Sequence, residues 1–159
     1  MPSWSSLHPV IVHFPISLLF VAPLFLLLGA LTKKSVFQTT FLILLGVGTM
    51  GTMLAVSTGE AAGEKITVIN DELLETLEQH ESLAKKSRTV FVLLTLVGMC
   101  WQLFKHRLSI ISTFIKTTAI LIYIVAYGSG LIMLGNAAHH GGGLVHHHGV
   151  HSDLYQNKK

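Results

Sequence analysis

Histidine is the residue that could do chemistry in this chain: ten occur in 159 residues. Imidazole is the commonest protein ligand for transition metals and also ligates haem iron. The stretch LHPVIVHFPISLLFVAPLFLLL, residues 7–28, sets His8 and His13 at the mouth of a long apolar run. An imidazole at such a place needs a hydrogen bond, a metal or water. His80 lies on a distant segment, and six more follow at 139, 140, 146, 147, 148 and 151, with His106 the remaining one. His13 and His80 come from separate segments at one membrane face, which is what two axial ligands on opposite sides of a haem plane require. His148 is the main substitute for either. A haem b held by these residues is the leading expectation. The alternative is non-haem copper, zinc or iron held by His13, His80, His148, His140 and Glu60, since mixed imidazole and carboxylate donors suit those metals. In a third reading the histidines only make hydrogen bonds within a structural subunit of a larger membrane complex.

Other side chains have supporting roles in the same scheme. Glu60 is either a solvated carboxylate or the partner that orients an imidazole N–H. Lys85 and Arg88 either snorkel at the interface or pair with haem propionates. His8, ahead of Pro9, is expected to cap or stabilise the helix entrance at the surface, which leaves His13, one turn deeper, as the better ligand.

These residues need rigid elements to hold them. Half of the chain is hydrophobic and only 12% is charged, with a mean hydropathy of +0.60, whereas a soluble domain carries about 25% charged residues. A helix crosses a bilayer core with about 20 apolar residues. Four such spans occur, at 10–31, 37–56, 89–104 and 117–134. The fold expected is all-α, a single integral membrane domain built as a four-helix bundle. Pro9 suits a first helical turn and Pro23 is expected to kink the first span. Gly46, Gly48 and Gly51 on the second span allow close helix packing or leave room for a flat ligand. Cys100, in the third span, is expected to be a small buried apolar residue.

The only long connection, 57–88, opens with a turn-rich lead-in and continues as an amphipathic helix before the third span. Asn70 reads as its N-cap, with Asp71 and Glu72 at the positive end of the helix dipole. Leu73, Leu77, His80 and Ala84 recur at three- and four-residue steps, so His80 points where the leucines point. The same helix can continue through Ser87 and Phe91 into the third span. Gly135 and the glycines 141–143 are expected to stop helical order, leaving a His/Gly-rich tail over 135–159.

The short connections at 32–36 and 105–116 carry Lys33, Lys34, Lys105, Arg107 and Lys116 and no acidic residue. The positive-inside rule puts them in the cytoplasm and both termini outside, as in a bacterial inner-membrane protein. Nine histidines then fall at the outer face, with His106 alone at the other, so one haem per chain is the most expected. The flank before the first span lacks Lys and Arg, so a cleaved signal peptide is not expected. No C-x-x-C-H occurs, which excludes the usual covalent haem attachment. The net charge of +3 gives no reason to expect a nucleic-acid partner. The partners expected are the lipid bilayer and other membrane or extracytoplasmic redox subunits. No Ser/His/Asp or Cys/His arrangement and no phosphate loop is present, so an electron-transfer or complex subunit is expected more than an independent enzyme.

The opening HPVIVHFPI, with His8, Pro9, Val12, His13, Phe14 and Pro15, and the late GGGLVHHHGV, with Gly142, Gly143, Leu144, Val145, His148 and Gly149, resemble the DUF2231 family of predicted membrane proteins. Its members pair an HP-x-x-VHFP start with a late GG-x-LVY-x-HG signature. His80 opening the third helix also fits that pattern, whereas His146 stands where the family more often has tyrosine. The resemblance implies a four-helix membrane fold more than an activity. Four helices with histidines at one face are also similar to b-type membrane cytochromes.

Overall fold

The computed structural model describes residues 4–66, 70–105, 107 and 112–150. After a 3-10 turn at Trp4–Leu7 come α1 (His8–Ile11), α2 (His13–Thr32), α3 (Ser35–Gly63), α4 (Asp71–Phe104) and α5 (Thr113–His146), with no strand among the described residues. α1 runs into α2 to make one span, giving four helices long and apolar enough to cross a membrane. The protein is therefore an all-α membrane bundle, as its composition requires. His106 and His151 lie outside the described residues.

Local signals explain most helix ends. Pro9 occupies the first turn of α1, where its missing N–H would be unpaired anyway. Lys33 closes α2 in the left-handed region at φ 57°, its N–H reaching the Gly29 carbonyl at 3.0 Å. The side chain of Asn70 caps α4 by accepting the Leu73 N–H at 2.8 Å. Amphipathic segment and third span are one helix, as the Leu73–Leu77–His80–Ala84 register anticipated.

Two boundaries differ from expectation. α3 does not end near residue 56 but runs through the lead-in to Gly63. α5 passes Gly135 and the glycines 141–143 and ends at His146. Glycine lowers helix stability by about 1 kcal/mol per site, but Ala137 and Leu144 on this stretch are buried against the bundle. Tertiary packing therefore outweighs local propensity here.

α2 lies along α3, α3 along α4, and α4 along α5. Leu19, Ala22, Phe41, Leu45, Phe91, Leu94, Tyr127 and Leu134 form the core. Leu24, Ile43, Leu96 and Val125 point outward, the apolar exterior that a bilayer demands. Cys100 is exposed on that exterior and is not a core residue. The glycines of α3 serve close packing: a Cβ on Gly48 would lie 2.8 Å from Leu19, and one on Gly51 would lie 2.9 Å from Pro15.

Pro23 sits inside α2 and has no N–H to give the Leu19 carbonyl. The Tyr127 hydroxyl of α5 donates to that carbonyl at 2.8 Å, filling the gap that the proline leaves. We expect Tyr127→Phe to lower stability by about 1 kcal/mol, because a buried carbonyl loses its partner in a medium with no water. Unfolding in mixed detergent micelles reads the change, and an unaltered midpoint would remove this role for Tyr127. Thr49 and Thr95 share a hydrogen bond of 2.8 Å between α3 and α4. No buried side-chain nitrogen or oxygen among the described residues lacks a partner.

Candidate functional site

The end of the bundle where α1 begins and α5 finishes encloses a cavity of about 800 Å³. Its wall combines the N-terminal segment, the last turns of α3, the first half of α4 and the end of α5, with His8, His80 and His148 among the lining residues. Most of the remaining wall is apolar, including Pro15, Ile16, Val56, Leu73, Leu77 and Leu134.

His8 and His80 face one another across this space, with ring centres 6.2 Å apart and ring planes at 82°. Each ring is held from a helix other than its own. The His80 Nδ1–H donates to the Ala137 carbonyl of α5 at 2.7 Å. A carbonyl can only accept, so Nδ1 carries the proton and, in the neutral ring, Nε2 carries the lone pair. The His8 Nδ1 lies 3.1 Å from the Thr58 hydroxyl of α3. The same hydroxyl lies 2.9 and 3.1 Å from the Leu54 and Ala55 carbonyls; its single proton serves either a carbonyl or the His8 Nδ1, so this contact holds the ring without selecting its tautomer. An Nδ1–H bonded to a backbone carbonyl, as on His80, is the arrangement common to metal-ligating histidines.

Glycine makes both dockings sterically feasible. A Cβ on Gly59 would stand 2.9 Å from His8 Cε1, and one on Gly141 would stand 2.9 Å from His80 Cε1. Gly141 thus continues the helix while leaving its surface open to the His80 imidazole.

The other candidates are placed less centrally. His13 is exposed at the cavity edge, its Nδ1–H donating to the Pro9 carbonyl of its own first turn at 2.7 Å. His148 stands on the wall with Nε2 3.4 Å from the Thr76 hydroxyl of α4, just before Gly149, which takes a left-handed φ of 66°. His140 packs against His139, ring centres 5.7 Å apart, and does not line the cavity. Glu60 and Lys85 do line it, joined by an ion pair of 3.3 Å, and Lys85 also reaches Glu81 at 3.3 Å. Arg88, the other proposed propionate partner, is not part of the wall. Among the described residues, no three His, Cys, Asp or Glu side chains gather closely enough to hold a metal ion.

His80 lines the cavity beside Leu73 and Leu77, as its register on α4 suggests, and His8, expected only to cap the helix entrance at the surface, lines it too. The missed signal is a register: His8, Pro15, Leu19 and Ala22 follow at steps of seven, four and three, and the last three are buried. His13 is five positions from His8, about 140° around a helix of 3.6 residues per turn, so both cannot face inward. Thr58, Gly59 and Gly141 carried no signal of their own in the sequence.

Among curated proteins and solved structures nothing matches the chain. A family model does match: that of the predicted membrane proteins DUF2231, over residues 5–154. With the match running from the helix entrance that bears His8 to beyond the end of α5, the chain belongs to the DUF2231 family of predicted membrane proteins.

Proposed function

We propose that the protein is a membrane-embedded b-type haem protein that transfers electrons, with His8 and His80 as axial ligands of one haem. The observation that carries this reading is the imidazole pair itself, from two helices, 6.2 Å apart at 82°, each ring tied at Nδ1. Two metal–nitrogen bonds of about 2.0 Å, with about 1.1 Å from each nitrogen to its ring centre, separate two imidazoles on one ion by about 6.2 Å. The cavity volume also falls within the range of about 300–1,000 Å³ usual for cofactor sites.

His8 takes the place first considered for His13, because only His8 has its ring held across the cavity from His80. Lys65 and Lys85 are cations on the wall for the propionates, although Glu60 and Glu81 already share Lys85. The non-haem alternative needs a third donor, and none joins the pair among the described residues. The site lies at the extracytoplasmic face of a bacterial inner membrane if the charge pattern of the short connections sets the orientation. A single haem at one face does not carry electrons across the bilayer, so the reading includes a redox partner, either another membrane subunit or an extracytoplasmic protein.

The test is the absorption spectrum of the purified protein. We expect a Soret band that sharpens on reduction and a chromophore that acid acetone extracts. In the ferric state, crossed imidazole planes leave two iron d orbitals nearly equal in energy, so a strongly anisotropic low-spin resonance is expected. Absence of a Soret band from protein made in haem-replete cells would overturn the reading.

A further inference from the structure

We infer that Gly59 and Gly141 are positioning residues, seats on α3 and α5 that let the His8 and His80 rings lie against a neighbouring helix and so set their place at the cavity; the inference rests on the haem reading for its consequence and on geometry for its substance. Each seat is half of a pair. Gly59 follows Thr58, whose hydroxyl lies 3.1 Å from His8 Nδ1. Gly141 lies one turn beyond Ala137, the carbonyl that takes the His80 Nδ1–H. The glycine lets the ring approach its helix, and the nearby hydrogen-bonding group then holds it, the Ala137 carbonyl selecting the Nδ1–H tautomer of His80.

At both seats a methyl group would occupy space that the imidazole fills. The Cβ of an alanine at 141 would meet His80 Cε1 at 2.9 Å and Nδ1 at 3.1 Å, and one at 59 would meet His8 Cε1 at 2.9 Å and Nδ1 at 3.3 Å. Real Cβ atoms essentially never come closer than about 3.0 Å, so the ring must shift away from the helix, which lengthens its Nδ1 hydrogen bond. The effect is specific to position. Gly128 and Gly46 are also helical and lie away from the cavity wall, and a Cβ at either meets nothing within 4 Å. The two kinds of glycine cannot be told apart by sequence, helix propensity or burial of the backbone alone.

The experiment compares Gly141→Ala with Gly128→Ala, and Gly59→Ala with Gly46→Ala, in the full chain. Two quantities are read: haem retention against a competing apo-protein, and the ¹⁵N signals of the imidazoles in haem-free protein. We expect haem to be held about 10-fold more weakly in the two seat variants, the lower end of the loss that follows disturbing the partner of a ligating histidine. The controls should match the parent. In haem-free Gly141→Ala the protonated Nδ1 signal of His80 shifts or is lost, whereas Gly128→Ala keeps it. If the seat variants keep both the parent's retention and its Nδ1–H signals, the inference is overturned. A parent without haem in which Gly141→Ala still loses the His80 signature would sink the haem reading and leave the seats standing.

Discussion

His80→Ala is expected to abolish the low-spin haem spectrum, and His8→Ala to do the same, while His13→Ala leaves the spectrum close to that of the parent. The rank order follows from how each ring is held. His80 and His8 are each anchored across a helix interface, by Ala137 and Thr58, so their rings keep one orientation when the site is empty. On the haem reading, removing either would leave one axial imidazole, and iron with a single strong axial ligand becomes high-spin and exchanges more readily. The other histidines of the wall, His13, His146 and His148, are not paired with His80 as His8 is. His13 is exposed and bonded to Pro9 within its own turn, and His148 has Nε2 turned to Thr76. Absorption and electron paramagnetic resonance of the three variants give the answer in one preparation each. If His13→Ala lost the chromophore while His8→Ala kept it, the assignment of the axial pair would fail, and the N-terminal segment would present its other face to the cavity.

That contrast between His8 and His13 marks where the sequence stops being readable. The four spans are legible because a bilayer imposes one requirement on all of them, and hydropathy measures it directly. The inward face of α4 is legible too: Leu73, Leu77, His80 and Ala84 alternate with Glu72, Glu75 and Glu78, so the period of 3.6 is written in contrasting residue types. The first span offers no such contrast. Nearly every residue from 10 to 31 is apolar, since one side of the helix meets lipid and the other meets protein. The face of α2 that turns inward is chosen by shape, with Pro15 against Gly51 and Leu19 against Gly48, and that fit exists only once two helices are side by side.

The glycines show the same limit from the other direction. Read singly, Gly141, Gly142 and Gly143 are helix breakers. In the bundle they are helical, and one of the three carries an imidazole. What decides between the outcomes is packing from elsewhere in the chain: Ala137 and Leu144 are buried against the bundle, and His80, 61 positions before Gly141, lies against that glycine. The candidate imidazoles could be named from the sequence, but the backbone features that place them could not. The helix ends at Gly63 and His146 were hidden for the same reason, and both extensions supply wall to the cavity.

Phe91→Ala is expected to be the most damaging change outside the site, lowering stability by about 2–4 kcal/mol. A buried Phe→Ala in a soluble core costs about 3–5 kcal/mol, of which part is transfer of the ring from water and part is the void left behind. In a bilayer the unfolded reference is itself apolar, so the transfer part shrinks while the lost dispersion contacts remain. Phe91 is fully buried where α3, α4 and α5 meet. Its ring stands edge-on to Tyr127 at 5.4 Å, and Gly130 is open so that the ring can enter, since a Cβ there would lie 3.2 Å from Phe91 Cζ. Its carbonyl also receives the hydroxyls of Thr49 and Thr95 at 3.4 and 2.8 Å. Those backbone bonds survive the substitution, so the loss measures packing alone. Unfolding in mixed micelles should show it, and Phe91→Leu, which refills most of the volume, should recover more than half. A Phe91→Ala protein as stable as its parent would mean that α3, α4 and α5 are held together chiefly by their hydroxyl and glycine contacts. It would also place the rigidity of the His8–His80 pair in the end of the bundle that bears the cavity, with the mid-membrane core contributing little.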